Sequence, residues 1–189
     1  MIGRDFADVL LAAQRGDEAA FAALWHDGQP ALLRYLDVIA PDAAEDIAAD
    51  TWTQVVRSLA KFRGNEQNWR AWLFTTARRR VIDQARQLLR RPTTSLEALP
   101  DSALAEHPGL RSPDAADLAL GNMDARTALS VVARLPPLQA EVIMLRVVAG
   151  LETEMVARLL GRSPGAVRIA AHRGLQRLAG MLAEAGVTR

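Results

Sequence analysis

Tryptophan and arginine recur together along residues 62–91, FRGNEQNWRAWLFTTARRRVIDQARQLLRR. At the period of an α-helix, Leu73, Ala77, Val81, Ala85 and Leu88 fall on one side and predict a face turned to a core. Trp72, Thr76, Arg79, Asp83, Arg86 and Arg90 cluster near the opposite side, with Trp69, Arg80 and Gln87 on its flank. Rings interleaved with arginines suit single-stranded nucleic acid, because bases stack on the rings while guanidinium groups follow the phosphates. The preceding stretch, Gly64-Asn65-Glu66-Gln67-Asn68, reads as a short loop whose amides can hydrogen-bond the edges of an unstacked base. A plainer arrangement fits the same residues, with both tryptophans in a core and the arginines forming a solvated face.

A second constellation lies in residues 135–182. Leu135-Pro136-Pro137 opens a helix bearing Val142, Ile143, Leu145 and Arg146. A helix over 153–160 follows, then a turn at Gly161-Arg162, then a helix that starts at Ser163-Pro164. This is helix-turn-helix spacing. Val167, Ala171, Gly174, Leu175, Leu178 and Leu182 are the expected buried stripe of the last helix. Gly165, Ala166, Ile169, His172, Arg173 and Gln176 occupy the opposite face, slim enough at its first turn to enter a major groove. Arg162, Arg168 and Arg177 stand where they can clamp phosphates at the rim. The plainer alternative is a helical hairpin with a basic face.

A third segment, 43–60, sets Ile47, Trp52, Val55, Val56 and Leu59 at helical spacing, with Asp42, Glu45, Asp46 and Asp50 crowding its first turns. It reads either as a core helix whose acids complement its dipole or as an acidic and apolar docking surface for a protein.

The elements that position these groups are all helical. Strand signals are nearly absent, and Ala, Leu, Arg and Glu dominate. Caps and stops place helices at 4–14, 17–26, 30–40, 43–60, 69–90, 114–134, 138–149, 153–160 and 164–184, with breaks expected at Gly28–Pro30, Pro41 and Gly64 and a capping box at Asp42-Ala-Ala-Glu45. Residues 92–112, broken by Pro92, Pro100 and Pro108, read as a linker. The 189 residues carry a net charge of +1, but that total is an average. Residues 1–60 hold 4 Arg against 10 acids, and 61–91 hold 9 bases against 2. Residues 92–125 hold 1 Arg against 6 acids, and 126–189 hold 9 Arg against 4. Such alternation points to separate surfaces for separate partners. Every base except Lys61 is arginine, which suits phosphate and base-edge contacts and also fits a GC-rich genome.

Several classes are set aside. Without cysteine there is no disulfide, thiolate chemistry or zinc–cysteine site, and His26, His107 and His172 have no metal-ligand spacing. No metal, cofactor or small-molecule substrate is expected. No nucleophile motif, phosphate loop or carboxylate–histidine set supports an enzyme. Acids near the N-terminus and the absence of a long apolar run lead to the expectation of a cytoplasmic protein.

The two basic segments resemble a known family. Asp42-Ala-Ala-Glu45-Asp46-Ile47-Ala-Ala-Asp50-Thr51-Trp52, Phe62-Arg63-Gly64 and Trp72-Leu73-Phe74-x-x-Ala77-Arg78-x-x-x-Ile82-Asp83-x-x-Arg86 are similar to region 2 of bacterial sigma factors, especially the small extracytoplasmic-function (ECF) group. Leu135-Pro136, Gln139-x-Glu141-Val142-x-x-Leu145-Arg146, Gly150-Leu151, Ala157-x-x-Leu160-Gly161-x-Ser163-x-Gly165-x-Val167-Arg168 and His172-Arg173 are similar to region 4. The resemblance implies an all-α protein with a region 2 domain over 1–91, a flexible acidic linker over 92–125 and a region 4 domain over 126–189. It implies docking on core RNA polymerase, on the clamp helices of the largest subunit and the flap of the second-largest. Asp46, Ile47, Asp50, Thr51, Gln54 and Val55 would carry the clamp contact. Melting and capture of the −10 strand would fall to Asn65, Gln67, Asn68, Trp69, Trp72, Thr76, Arg79, Arg80, Asp83, Arg86 and Arg90. The −35 duplex would be read by Arg162, Ser163, Gly165, Ala166, Arg168, Ile169, His172, Arg173, Gln176 and Arg177. The resemblance also implies an anti-sigma partner. Departures sit at Arg79, where asparagine is common, and at Ala166, Ile169 and Ala170, where threonine, serine and arginine are common; Ile169 suits a thymine methyl instead. The rival reading is a helix-turn-helix regulator that binds duplex DNA without polymerase.

Overall fold

A computed structural model describes residues 2–90 and 126–184, and the described residues hold helices and no strand. The expected linker, and the part of helix 114–134 before residue 126, lie outside the described residues. The first unit comprises α1 (Phe6–Gln14), α2 (Glu18–Ile39), α3 (Ala44–Ser58) and α4 (Glu66–Arg90). The second comprises α5 (126–133), α6 (Pro137–Ile143), α7 (Thr153–Leu160) and α8 (Pro164–Glu184). A π-helical turn over Met144–Val148 extends α6.

Three helix boundaries differ from the sequence expectation. The break at Gly28–Pro30 is absent, and α2 runs unbroken with Pro30 inside it. A proline there removes one backbone donor and strains the preceding turn. The local loss is overridden by packing, because Gly28, Leu32, Tyr35 and Leu36 are all buried on the face that meets α3 and α4. Gly28 makes that approach possible, since a Cβ there would come within 3.0 Å of Leu73 and 3.2 Å of Trp52. The Asp42–Glu45 capping box does not form either. Pro41–Ala43 is a 3₁₀ turn, and the side chain of Ala43, which precedes α3, makes no cap bond. Asp17 is the acid that caps a helix, its Oδ1 accepting from Ala20 N–H at 2.8 Å. Finally, α4 starts at Glu66 rather than at 69.

The core of the first unit is aromatic. Trp69 is 1% exposed and lies against Phe6, Trp52, Phe62 and Trp72, with ring centroids 5.4 to 6.5 Å apart. Tyr35 and Phe74 meet edge to face at 5.4 Å. In the second unit Val142, Met144, Leu145, Leu151, Val156 and Val167 are buried. Gly161 takes the left-handed conformation (φ 63°) between α7 and α8, as the predicted turn requires.

The two units touch. α2 packs on α6 and its π-helical extension, and α4 packs on α7.

Candidate nucleic-acid interface

The start of α4 is built by a reciprocal cap. Asn68 N–H donates to Asn65 Oδ1 at 2.9 Å, and Asn65 N–H faces Asn68 Oδ1 at 3.4 Å. Residues 64–68 are therefore not a free amide-rich loop, because Glu66, Gln67 and Asn68 already belong to the helix. Glu66 is held too, its carboxylate accepting from Ile2 N–H at 2.9 Å and Gly3 N–H at 3.2 Å. Gln67 turns its amide oxygen inward, where no donor meets it among the described residues. Asn65 and Asn68 remain exposed alongside their capping role.

Further along α4 the predicted surface divides. Trp69 is buried in the core, so its ring offers no face to a base in this conformation. Thr76 is buried as well, its hydroxyl donating to the Trp72 carbonyl at 2.8 Å. Both corrections follow from the width of the apolar stripe. Phe74 joins Leu73 and Ala77 in the core, so the buried face is broader than the predicted line. Trp72 is half-buried. It stacks on Phe62 at 5.1 Å and 26°, and its remaining edge separates two clefts. One cleft has Gln54, Ser58, Arg79, Arg80 and Asp83 around the tryptophan. The other has Asn68, Thr75 and Arg79 on the α4 side, and Met155, Arg158 and Leu159 on the α7 side. Arg79, Asp83 and Arg86 are exposed, and Arg86 lies 3.8 Å from Asp83. Arg90 is the last residue of the helix, and its side chain lies outside the described residues. Phe62, absent from the expected site, is the ring that backs Trp72; its place three residues before Asn65 was the available hint.

On α3 the residues of the expected partner face divide between surface and core. Asp46 and Asp50 are exposed. Ile47, Thr51 and Val55 point inward, with Thr51 and Val55 fully buried, and the Thr51 hydroxyl donates to the Ile47 carbonyl at 2.7 Å. They belong to the core because they follow the Trp52 and Ala48 side of the helix. Gln54 is half-buried, donating to Ser58 Oγ at 2.8 Å and accepting from Arg80 at 3.3 Å. The outward apolar residue is Val56, 56% exposed, with Thr53 and Arg57 beside it. Val56 sits one helical step from Val55, and periodicity alone groups the two.

The α8 surface follows its expectation closely. The hydroxyl of Ser163 accepts from Ala166 N–H at 3.2 Å and caps the helix. Arg162, Arg168, His172, Arg173, Gln176 and Arg177 are exposed, Ile169 is 53% exposed, and Gly165 and Ala166 are half-buried. Arg168 lies 3.9 Å from Glu154, and Arg177 donates to Gln139 Oε1 at 3.1 Å. Val167 and Gly174 are buried as expected. Leu175 is not, being 53% exposed, and Ala170 takes a core position that the helical wheel had not assigned.

Among the described residues no group of acids and histidines has metal-holding geometry. No helix among them is long and apolar enough to cross a membrane.

Comparison with known proteins agrees with this geometry. Residues 24–91 match the family model of sigma-70 region 2, and residues 126–178 match sigma-70 region 4. The chain is 35% identical over 173 residues to the ECF RNA polymerase sigma factor ShbA of Streptomyces griseus, covering 88% of this chain and 89% of that one. It is 28% identical over 192 residues to the ECF sigma factor SigD of Mycobacterium tuberculosis, covering 98% and 88%. The sigma factor RpoE of Bartonella quintana, solved with the anti-sigma factor NepR, superposes with a TM-score of 0.62 at 25% identity, covering 89% of this chain and 98% of that one. CnrH, solved with the cytosolic domain of CnrY, shares the fold with a TM-score of 0.58 at 23% identity, covering 93% and 96%.

Proposed function

The chain belongs to the ECF group of RNA polymerase sigma factors, and from that premise we propose how its surfaces divide the work of promoter-specific initiation. Core RNA polymerase docks on the outward face of α3, through Asp46 and Asp50 with Val56 as the apolar contact. Gln54 borders that face, and the clamp helices of the largest subunit are its partner. The second unit also meets the flap of the second-largest subunit. The −35 element enters against α8. Gly165 and Ala166 let the helix approach the groove floor, while Ile169, His172 and Arg173 reach base edges. Arg162, Arg168, Gln176 and Arg177 steady the flanking phosphates, and Ser163 fixes the start of the helix.

The −10 element is held as a single strand along α4. Trp72 backs an unstacked base, Asn68 stands at the edge of its cleft, and Arg79, Arg80 and Arg86 follow the backbone, with Asp83 setting the pose of Arg86. The domains divide at residues 91 and 126, and the acidic stretch between them threads toward the nucleic-acid channels of the polymerase. The protein acts in the cytoplasm by binding and positioning, with no catalytic step of its own. An anti-sigma protein covers these same surfaces in the off state; the structurally similar RpoE is itself solved in complex with an anti-sigma factor.

The observation that carries this reading is the exposure of two separate arginine-bearing surfaces, on α4 and α8, inside the two matched sigma regions. Run-off transcription with purified core polymerase and genomic DNA tests it. Promoter-dependent transcripts and co-purification with core are expected. Duplex binding without either would turn the assignment into a helix-turn-helix regulator that acts apart from polymerase.

A further inference from the structure

The two units meet along a seam that neither recognition surface requires. Its centre is Glu141 of α6. Arg78 of α4 donates its Nε–H to Glu141 Oε1 at 2.8 Å, and the hydroxyl of Tyr35, from α2, donates to the same oxygen at 3.0 Å. The Tyr35 side chain is fully buried, and Glu141 and Arg78 are 14% and 28% exposed. Burial, reinforced by the Glu141 carboxylate, pushes the Tyr35 phenol far above its ordinary range, so it stays a donor. A second tie lies nearby. Arg70 holds Asp27 at 2.8 Å and reaches the carbonyl of Ala149, after the π-helical turn, at 3.4 Å.

This seam sets α7 across the α4 cleft. Met155 and Leu159 form the wall opposite Asn68, Trp72 and Thr75. Met155 and Leu159 thus wall the approach of a strand to the Trp72 side of that cleft. Arg78, Arg79 and Arg158 line the same cleft, and among the described residues no acid lines it. Like charge therefore favours separation of the walls, and an attractive contact elsewhere must oppose it.

We propose that Glu141 is an intramolecular latch, which holds the second unit over the α4 cleft and keeps the single-strand surface of the free chain covered. The inference rests on the reading of α4 as the −10 surface. Removing the carboxylate leaves Arg78 and the Tyr35 hydroxyl facing a partly buried seam without their acceptor, whereas in the open form water satisfies both. Loss of Glu141 thus destabilises the closed form selectively.

The sequence lacks cysteine, so Asp8→Cys on α1 and Ala179→Cys on α8, both exposed positions, accept a donor and acceptor dye without competing sites. Energy transfer is measured in this background, in Glu141→Ala and in Tyr35→Phe. Affinity for a short fluorescent single-stranded DNA of mixed sequence is measured beside it. Glu141→Ala should lower the transfer and tighten DNA binding on the order of tenfold. Tyr35→Phe keeps the ring in the core and the Arg78 pair in place, and should move both readouts the same way by less. Unchanged transfer in both variants overturns the latch. Lower transfer with unchanged DNA affinity overturns the covering of α4. If neither wild type nor variant binds the DNA, the −10 reading of α4 fails, while the change in transfer still supports the latch.

Discussion

α4 and α8 both carry arginines outward, yet they are backed in opposite ways. Behind α4 lies a continuous ring system in which buried Trp69 touches Phe6, Phe62, Trp52 and Trp72. Trp72 is the outermost member of that system, braced by Phe62. The helix α8 has no Phe, Trp or Tyr at all, and small or aliphatic residues back it: Val167, Ala170 and Gly174. The difference matches two tasks. A base lifted from its stack needs a rigid apolar plate, and rigidity comes from rings fixed behind it. A helix entering a duplex groove needs to be slim, with polar tips that reach edges already on display.

The largest effect should come from the member of the ring system that lies deepest. Trp69→Ala removes the hub of four ring contacts and should destabilise the first unit by about 3–5 kcal/mol. Urea unfolding followed by circular dichroism reads this. A loss below about 1 kcal/mol would mean that Trp69 is not a core residue. Trp72→Ala sharpens the contrast. It should cost clearly less stability than Trp69→Ala, leave core polymerase binding intact, and weaken single-strand capture by about 1–3 kcal/mol per stacked base. Equal loss of core binding and of open-complex formation would erase the distinction between hub and plate.

These two tryptophans also show what the sequence can and cannot carry. The existence of α3, α4, α7 and α8, the Ser163 cap and the Gly161 turn were legible, because capping chemistry and periodicity are local. So was the outward face of α8, which has one buried side and one solvated side. The division of α4 was not legible. A wheel places Trp69 and Trp72 near one another, and only the positions of Phe6 and Trp52, distant in sequence, decide that one ring is enclosed and the other is not. For Ile47, Thr51 and Val55 the sequence leaves a core face and a docking face open for a related reason. A protein-docking helix and a core helix share one amphipathic pattern, and the neighbours decide which face is covered. The unbroken α2 belongs here too, since Pro30 is a local stop signal that tertiary packing overrides.

On the α8 side of the comparison, Arg173→Ala should weaken binding of a −35 duplex by about 1–3 kcal/mol and relax selectivity at one base pair, if the guanidinium meets a base edge. A mobility-shift series over single base changes separates this from a phosphate contact, which would weaken every sequence alike and flatten the salt dependence. Stability should change little, because Arg173 is exposed and, among the described residues, makes no bond across the fold. Stacking and groove reading would then fail in different assays. A strong stability loss from Arg173→Ala would show that α8 is fastened more like α4.

The smallest effect concerns the line where the two units meet. Asp37 of α2 shares a groove with Arg126, Leu129 and Ser130 of α5. Burial raises the Asp37 carboxyl above its ordinary value of 3.8; Arg126 opposes the shift and Glu45 adds to it. A carboxyl raised by folding is easier to ionise in the unfolded chain. Its penalty on the folded state is therefore absent below the unfolded value and grows as pH rises through and beyond it. Asp37→Asn should accordingly raise the melting temperature slightly near neutral pH and leave it unchanged near pH 3. The group is only partly buried, so solvent screening keeps the gain small. The same gain should shrink in Glu141→Ala, because separating the units rehydrates Asp37 in the folded state. An Asp37→Asn gain that is identical at both pH values, or indifferent to Glu141, would show that burial against α5 is not what raises this carboxyl.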